Sequence, residues 1–158
     1  MNRNLTYFMR EAKEETVNYP APSGFKDENG KPLDMEIKVL SAEKIKQIMN
    51  RYKKRGIAFD KSGKPYISGG EVVYKSENDT EKALRHIVAE ALVYPNLKDK
   101  ELMEFYKCYD ITEMPLKVFS KNEEYSYVFD AVMTTLGIIR DDADDAEESP
   151  DEMEEAKN

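Results

Sequence analysis

Apolar residues recur at helical spacing in five stretches of this 158-residue chain. Within each stretch they occupy positions i, i+3, i+4 and i+7, which places them on one face of an α-helix. The pattern therefore predicts five amphipathic helices. Their apolar faces consist of Leu5, Phe8, Met9 and Ala12; Ile45, Ile48, Met49 and Tyr52; Leu84, Ile87, Val88, Ala91 and Leu92; Leu102, Phe105, Tyr106 and Tyr109; and Tyr125, Val128, Phe129, Val132, Met133 and Leu136.

Residues that suit helix ends flank several of these stretches. Ser120 followed by Glu123 has the spacing of a capping box, in which each residue accepts a hydrogen bond from an amide group at the start of the helix. Gly137 suits the end of the same helix, because glycine adopts a positive φ at little cost. The other predicted helix starts are Ser41, Asn78 followed by Glu81, and a short extra turn at Thr112 and Pro115.

One stretch has the period of a strand instead. Apolar and polar residues alternate over residues 33–39, which predicts a strand with one buried face. Asn29-Gly30 precedes it, and this dipeptide favours hairpin turns because both residues tolerate a positive φ. The partner strand is expected between residues 17 and 26. Since Pro20 and Pro22 lack amide hydrogens, that partner should lie at a sheet edge or contain a bulge.

Residues 54–78 allow two interpretations. Two short β-like pieces, 57–59 and 71–74, are separated by glycine- and proline-containing turns. Both a small second hairpin and an irregular loop fit this pattern, and the loop is the favoured interpretation.

Together these patterns predict an α+β fold that is mainly α, with about five amphipathic helices and one N-terminal β-hairpin near residues 17–40. Hydrophobic residues make up 40% of the chain, enough for one core, so residues 1–140 are expected to form a single helical domain with a variable loop at 54–78. Residues 141–158 lack apolar periodicity and are expected to be a disordered acidic tail.

The charge is unevenly distributed along the chain. The formal charge is −8, but residues 141–158 hold ten Asp/Glu and one Lys, a net of −9. Residues 1–140 hold 22 acidic and 23 basic residues, a net of +1, which gives no support to nucleic-acid binding. No apolar run approaches the ~18 residues that a membrane span needs. A water-soluble protein is therefore expected, with neither nucleic acid nor membrane as a partner.

The residue types that usually carry catalysis are sparse. His86 is the only histidine and lies beside an apolar stripe, which favours a structural role over that of a catalytic base. Cys108 is the only cysteine, so it indicates a packed thiol and a reducing, cytoplasmic compartment. Gly69-Gly70 lacks the spacing of a phosphate-binding loop. The pattern predicts no catalytic, cofactor or metal site, and hence no enzyme.

Two groups of side chains remain as candidates for binding. Tyr125, Tyr127 and Phe129 cannot share one helix face, so at least one of them is expected to contact solvent or a partner. The second group is basic and surrounds the predicted end of the second helix, where it suits either the helix dipole or an acidic partner. It comprises Lys44, Lys46, Arg51, Lys53, Lys54 and Arg55.

Three segments, in this order, resemble the XkdN-like tail assembly chaperones, which are encoded by tailed phages and prophages of Gram-positive bacteria. The segments are Leu5 to Glu11, the turn and strand from Gly24 to Val39, and Ile87 to Leu97 with the following Asp99 to Tyr106. The resemblance extends over about residues 4–137. The acidic tail is an expected addition to the family's pattern.

The resemblance implies a function in phage tail assembly. The expected partner is the tape measure protein, whose apolar helical surface a chaperone would keep soluble, and the tail tube protein is a second expected partner. A homo-oligomer remains open. The protein should act in the bacterial cytoplasm and be absent from the mature virion.

Two other classes of function compete with this one. An acidic DNA mimic or anti-restriction protein would need carboxylates on a rigid face, whereas the acids here are concentrated in the tail. A small hydrolase would need a nucleophile, a base or a metal site.

Overall fold

The computed structural model describes residues 3–138 and shows a mixed α and β fold rather than the predicted mainly helical one. The predicted disorder of residues 141–158 falls outside the described residues. The described part contains five α-helices, α1 Ala42–Arg51, α2 Thr80–Ala91, α3 Lys100–Tyr106, α4 Met114–Val118 and α5 Asn122–Thr135. Its strands are β1 Thr16–Pro20, β2 Asp34–Lys38, β3 Lys53–Ile57, β4 Ile67–Ser68, β5 Glu71–Val72, β6 Tyr74–Asn78 and β7 Leu92–Tyr94.

The first two long helices begin at residues that accept hydrogen bonds from helical amides. Ser41 Oγ accepts from the Lys44 amide at 3.1 Å, as predicted for α1. At α2 the acceptor is Asp79, whose Oδ1 lies 3.2 Å from the Lys82 amide. The predicted Asn78 is instead the last residue of β6, so this prediction was one residue too early.

The ends of α5 show a similar offset. The helix begins at Asn122, and Glu124 rather than the predicted Glu123 accepts from a backbone amide before the helix, that of Lys121 at 3.3 Å. The other end agrees with the prediction. Gly137 has a φ of 74°, and its amide donates to the Thr134 carbonyl at 3.0 Å, which closes the helix.

The hydrophobic core brings one face of each long helix against the sheet. From α2, the side chains of Ile87 and Val88 are fully buried, and Val128 and Val132 of α5 are buried with them. Ile48 is the buried residue of α1. The apolar stripes of α1, α2 and α5 therefore face the core, as their spacing predicts.

A three-stranded antiparallel sheet in the order β1-β2-β7 lies against these helices. The central strand β2 buries Met35 and Ile37, in agreement with the predicted alternation. Its partner β1 is an edge strand, which accommodates Pro20 at its end. The third strand, β7, was not predicted, because Leu92 continues the apolar stripe of the preceding helix.

The N-terminal helix prediction was wrong. Leu5–Phe8 forms only a single 3₁₀ turn, and residues 9–15 have no helical structure. Every residue from 3 to 18 is exposed, so the apolar stripe of this segment is not buried by the described residues. A helix this short is not stable without tertiary packing, which explains why the spacing alone was misleading.

The fourth predicted helix is shorter than its stripe. α3 ends at Tyr106, because Lys107 adopts a left-handed conformation with a φ of 51°. Phe105 and Tyr109, both assigned to the buried stripe, are 77% and 73% exposed. The extra turn predicted at Pro115 is present as α4.

Residues 53–78 form a hairpin, so the favoured loop interpretation was wrong and the alternative was correct. β3 pairs with β6 over five residue pairs, from Lys53 with Asn78 to Ile57 with Tyr74, and β4 pairs with β5 within the connection. We call residues 53–78 the ribbon. None of its residues is buried, so it contributes no side chain to the core.

Two turns of the chain have the same sequence pattern and the same hydrogen bonds. In Asp27–Pro32 the Asp27 Oδ1 accepts from the Lys31 amide at 2.9 Å, and in the ribbon the Asp60 Oδ1 accepts from the Lys64 amide at 3.0 Å. The glycine of each turn, Gly30 or Gly63, has a positive φ. The Asn29-Gly30 turn therefore closes only this small loop, and a longer connection joins β1 to β2.

Candidate partner-binding surfaces

An open groove of about 600 Å³ runs between α2, α4 and α5. Its apolar lining comes from Leu84, Leu116, Tyr125 and Phe129, and we call it the aromatic groove. Tyr125 and Phe129 lie one helical turn apart, so their rings are adjacent, with centroids 6.0 Å apart. The polar rim consists of Glu81, Arg85, Asn122, Ser126 and Asp130.

Tyr127 points away from this groove. Its hydroxyl donates to the Pro20 carbonyl at 2.9 Å, and its ring lies edge-on to Tyr19 at 6.0 Å. It lines a separate open cavity of about 640 Å³ between α5 and the start of the β1–β2 connection. The predicted contact residues are thus divided between two surfaces, since only Tyr125 and Phe129 share one. Their role in binding stays a prediction.

A fixed positive charge borders the aromatic groove. Arg85 Nε donates to the Thr112 carbonyl at 2.9 Å, and Arg85 Nη2 lies 3.3 Å from Glu113 Oε1. Burial raises the pKa of Tyr125, and the nearby Arg85 partly opposes that shift. The Tyr125 hydroxyl therefore stays neutral and can act as a donor or acceptor on the groove wall.

The ribbon carries a second apolar surface that sequence reasoning missed. Ile57 lies directly opposite Tyr74, and Ile67 lies directly opposite Val72. Because side chains alternate along each strand, these four side chains lie on one face. Phe59 lies two residues after Ile57, so its side chain lies on the same face. All five side chains are at least 38% exposed. The alternation of apolar residues at 57 and 59 and at 72 and 74 was the available signal.

Basic residues accompany this apolar face. Lys53 and Arg55 share it by the same alternation, and the Arg55 guanidinium lies 4.3 Å from the centre of the Tyr74 ring. The basic stretch noted in the sequence is thereby divided, with its first half on α1 and its second half in β3. Arg51 lies in the last turn of α1, whereas Lys53, Lys54 and Arg55 lie in a strand.

His86 and Cys108 belong to the interior. His86 is 3% exposed, and its Nδ1 is hydrogen-bonded to the Tyr52 hydroxyl. Burial lowers the pKa of His86, and the positive charge of Arg51 lowers it further. The buried Cys108 Sγ donates to the Asp110 carbonyl at 3.5 Å. Both side chains therefore act in packing.

Glu90 forms ion pairs with basic side chains at the end of α2 near His86. Its carboxylate lies 3.1 Å from Lys98 Nζ and 4.0 Å from Lys44 Nζ. Burial alone would raise the pKa of Glu90, but the hydrogen bond and charge of Lys98 outweigh this effect and lower it. This cluster links α1, α2 and the segment before α3.

Within residues 3–138, no group of three or more His, Cys, Asp or Glu side chains is arranged to hold a metal ion. In the same residues, no helix is long and apolar enough to cross a membrane.

A family model described as "Phage XkdN-like tail assembly chaperone protein, TAC" matches residues 5–157 of the chain. The chain belongs to this family of phage tail assembly chaperones. The resemblance noted in the sequence is thus confirmed. The match also includes most of residues 141–158, so the expectation that the acidic tail is an addition to the family's pattern was wrong.

Two proteins of Bacillus subtilis (strain 168) are similar over nearly their whole length. Phage-like element PBSX protein XkdN is 27% identical over 157 residues, which cover 98% of this chain and 94% of that protein. The uncharacterized protein YqbN is 29% identical over 148 residues, 92% of this chain and 91% of that protein.

A crystal structure of the protein YqbN has the same fold. It superimposes with a TM-score of 0.66 at 23% sequence identity, covering 87% of this chain and 98% of that chain. At this identity the similarity shows the fold alone.

Proposed function

We propose that this tail assembly chaperone binds the tape measure protein, keeps it soluble and helps the tail tube to assemble. The observation that carries the proposal is the family match over residues 5–157 together with exposed apolar surfaces on the aromatic groove and the ribbon. The tail tube protein is a further proposed partner. The protein would act in the host cytoplasm and be absent from the mature virion.

The physical need for such a chaperone follows from the shape of the client. A tape measure protein is a long helical rod, and its apolar stripe is exposed until the tube encloses it. Exposed apolar stripes associate with one another and aggregate. A protein that covers the stripe non-covalently prevents this and needs no active site.

The aromatic groove suits one turn or more of an amphipathic helix. Helices bind such grooves through apolar side chains at i, i+3 or i+4, while polar residues on the rim fix their orientation. Tyr125 and Phe129 offer adjacent rings, and Arg85 and Asp130 offer both signs of charge on the rim. Aromatic rings contribute large contact areas for few immobilised torsions, which favours affinity.

Co-expression tests the function directly. The tape measure protein encoded by the same phage is produced with and without this chain, and the soluble and insoluble fractions are compared. We expect the long protein to become soluble and to co-purify with the chain. A tape measure protein that stays insoluble and unbound would refute the proposal.

Substitutions test the aromatic groove within that function. Phe129→Ser combined with Leu84→Ser should weaken binding about tenfold or more, because both residues supply groove surface. Phe105→Ser is an exposed control, since Phe105 is 77% exposed on α3 and does not line the groove. Circular dichroism checks that the double variant stays folded, because Leu84 and Phe129 also pack against the core. If the control weakens binding as strongly, the groove is not the contact surface.

The apolar face of the ribbon is tested in the same way. Phe59→Ser with Ile67→Ser removes two apolar side chains from the face, and neither residue is buried. Tyr66→Ser is the control, because Tyr66 is 48% exposed on the opposite face of the same ribbon. A contact through the apolar face predicts weaker binding for the double variant alone.

A further inference from the structure

The ribbon and the helix before it form the most positive part of the chain. Residues 42–78 hold nine Lys/Arg and four Asp/Glu, a net of +5. Residues 1–41 and 79–140 together hold 14 Lys/Arg and 18 Asp/Glu, a net of −4. Residues 1–140 are therefore nearly neutral in total, but their positive charge is concentrated in residues 42–78.

Within residues 3–138, most of these cations form no salt bridge. Among the described residues, Lys44 lies within 4.0 Å of Glu90 and Lys75 lies 3.5 Å from Glu77. Seven others have no carboxylate of the described part of the chain within salt-bridge distance. They are Lys46, Arg51, Lys53, Lys54, Arg55, Lys61 and Lys64, which we call the basic surface.

The chain itself holds the opposite charge in a segment of sufficient length. Residues 141–158 carry ten Asp/Glu and one Lys, and they follow shortly after Ile138, the last described residue. Twenty residues reach up to about 65 Å when extended, whereas a folded body of this size has a radius of gyration of about 14 Å. Every face of the body is therefore within reach.

We propose that the acidic segment 141–158 binds the basic surface of the same chain. Single exposed ion pairs contribute only about 0–1 kcal/mol each, so no one pair would hold the segment in place. The segment is covalently attached, however, which gives it an effective concentration in the millimolar range. Several weak pairs formed together then suffice for occupancy.

Bound there, the segment shields the ribbon from other polyanions. It is poor in large apolar residues and so leaves the apolar face of the ribbon uncovered. A partner of the apolar face that also carries acidic residues must displace the segment from Lys53 and Arg55. The acidic segment thus competes with acidic partners for Lys53 and Arg55. This competition does not depend on the proposed binding of the tape measure protein.

Zero-length carbodiimide cross-linking of the purified full-length chain alone tests the contact. At roughly 0.1 M salt, where screening extends over ~10 Å, cross-links from residues 141–158 should favour Lys53, Lys54, Lys61 and Lys64 several-fold over the exposed Lys107 and Lys117. At roughly 1 M salt the preference should disappear, because screening shortens to ~3 Å. Equal labelling of all six lysines, or a preference that persists at high salt, would overturn the proposal.

Mixed isotopes distinguish binding within one chain from binding between two copies. A mixture of ¹⁴N- and ¹⁵N-labelled chains should give cross-linked peptides of a single isotope. Peptides that pair a light with a heavy segment at the statistical frequency would show exchange between copies and refute the contact within one chain.

Two variants of equal net charge provide a second readout on heparin, a soluble polyanion. In the first, four acids of the segment are neutralised, namely Asp141→Asn, Asp142→Asn, Asp144→Asn and Asp145→Asn. In the second, four exposed acids elsewhere are neutralised, namely Glu11→Gln, Glu28→Gln, Glu101→Gln and Glu104→Gln. The first should elute from heparin at higher salt, because its basic surface is uncovered. Co-elution would contradict the proposal, since net charge alone would then explain both.

Discussion

Arg85 Nε donates a hydrogen bond to the carbonyl of Thr112 at 2.9 Å, across 27 positions of the chain. Thr112 is 2% exposed, and its amide and hydroxyl both donate to Asp110 Oδ1. These hydrogen bonds lower the pKa of Asp110, so the carboxylate that organises this turn stays charged. The contact ties α2 to the turn before α4 and thereby fixes the relative position of two walls of the aromatic groove.

Replacing Arg85 should therefore weaken the fold as well as the groove. Arg85→Met keeps much of the side-chain volume but leaves the Thr112 carbonyl without this donor. The expected loss is about 1–3 kcal/mol of unfolding free energy, the usual cost of an unsatisfied buried polar group. Urea unfolding followed by circular dichroism measures it.

Glu113→Gln serves as the control for the charge of Arg85. It weakens the contact with Arg85 Nη2 but keeps the hydrogen bond to Thr112. Because the Glu113 side chain is 45% exposed, the expected loss is under about 1 kcal/mol. Equal losses in the two variants would mean that the ion pair, and not the bond to Thr112, stabilises this corner.

The two matching turns predict different effects of the same substitution. Asp27→Ala should lower the unfolding free energy by about 1 kcal/mol, because its turn adjoins Phe25, which packs edge-on to Phe119 of the core at 5.6 Å. Asp60→Ala removes the same hydrogen bonds, but the ribbon around it buries no side chain. It should leave global stability unchanged and only accelerate amide exchange within the ribbon.

Hydrogen exchange and urea unfolding together measure this difference. If Asp60→Ala lowered global stability as much as Asp27→Ala, the ribbon would not unfold independently of the core.

The sequence predicted α1, α2 and α5 well because each buries one continuous stripe in a single core. The first residues of these helices were predicted less accurately, since two neighbouring residues can each accept a hydrogen bond from a helical amide. Asp79 follows Asn78 directly, and Glu124 follows Glu123, so side-chain chemistry alone does not select between them. The packed geometry of the first turn makes that choice.

The sequence failed where apolar residues are not buried. The stripe of Leu5 to Ala12 and the alternation around Ile57 both look like core-facing patterns, yet both segments are exposed. Periodicity reports which residues share a face and does not report what covers that face. The division of Tyr125 and Tyr127 between two surfaces followed from helical spacing, but the walls opposite them depend on distant contacts such as Tyr127 with Pro20.

Gly137 should be sensitive to substitution at the end of α5. Its φ of 74° is unfavourable for a residue with a Cβ atom, although nothing lies within 4 Å of a Cβ added there. Gly137→Ala should therefore cost about 1 kcal/mol through backbone strain alone. Gly137→Asn should cost less, because asparagine tolerates this conformation better. Thermal unfolding of both variants gives the comparison, and equal losses would mean that the positive φ of Gly137 does not set the cost.

His86 should make the fold sensitive to mild acid. Its pKa in the folded state lies below the ordinary value of 6.5, first because of burial and then because of Arg51, with Lys44 and Lys98 acting in the same direction and Glu90 opposing them. Between the folded pKa and 6.5, the unfolded chain binds more protons at this residue than the folded chain does. The stabilising contribution is therefore complete above the unfolded pKa and is lost as the pH falls from the unfolded pKa through the folded pKa.

His86→Gln isolates this contribution, because glutamine can form a hydrogen bond with the Tyr52 hydroxyl but does not titrate. The difference in unfolding free energy between the wild-type chain and the variant should shrink when the pH is lowered from about 7.5 to about 5.5. Carboxylates common to both proteins cancel in that difference. Tyr52→Phe is the control, since it removes the hydrogen bond but keeps the titrating ring, so it should remain more acid-sensitive than His86→Gln. If the difference between the wild type and His86→Gln stayed constant across this range, the buried imidazole would not be the group that titrates.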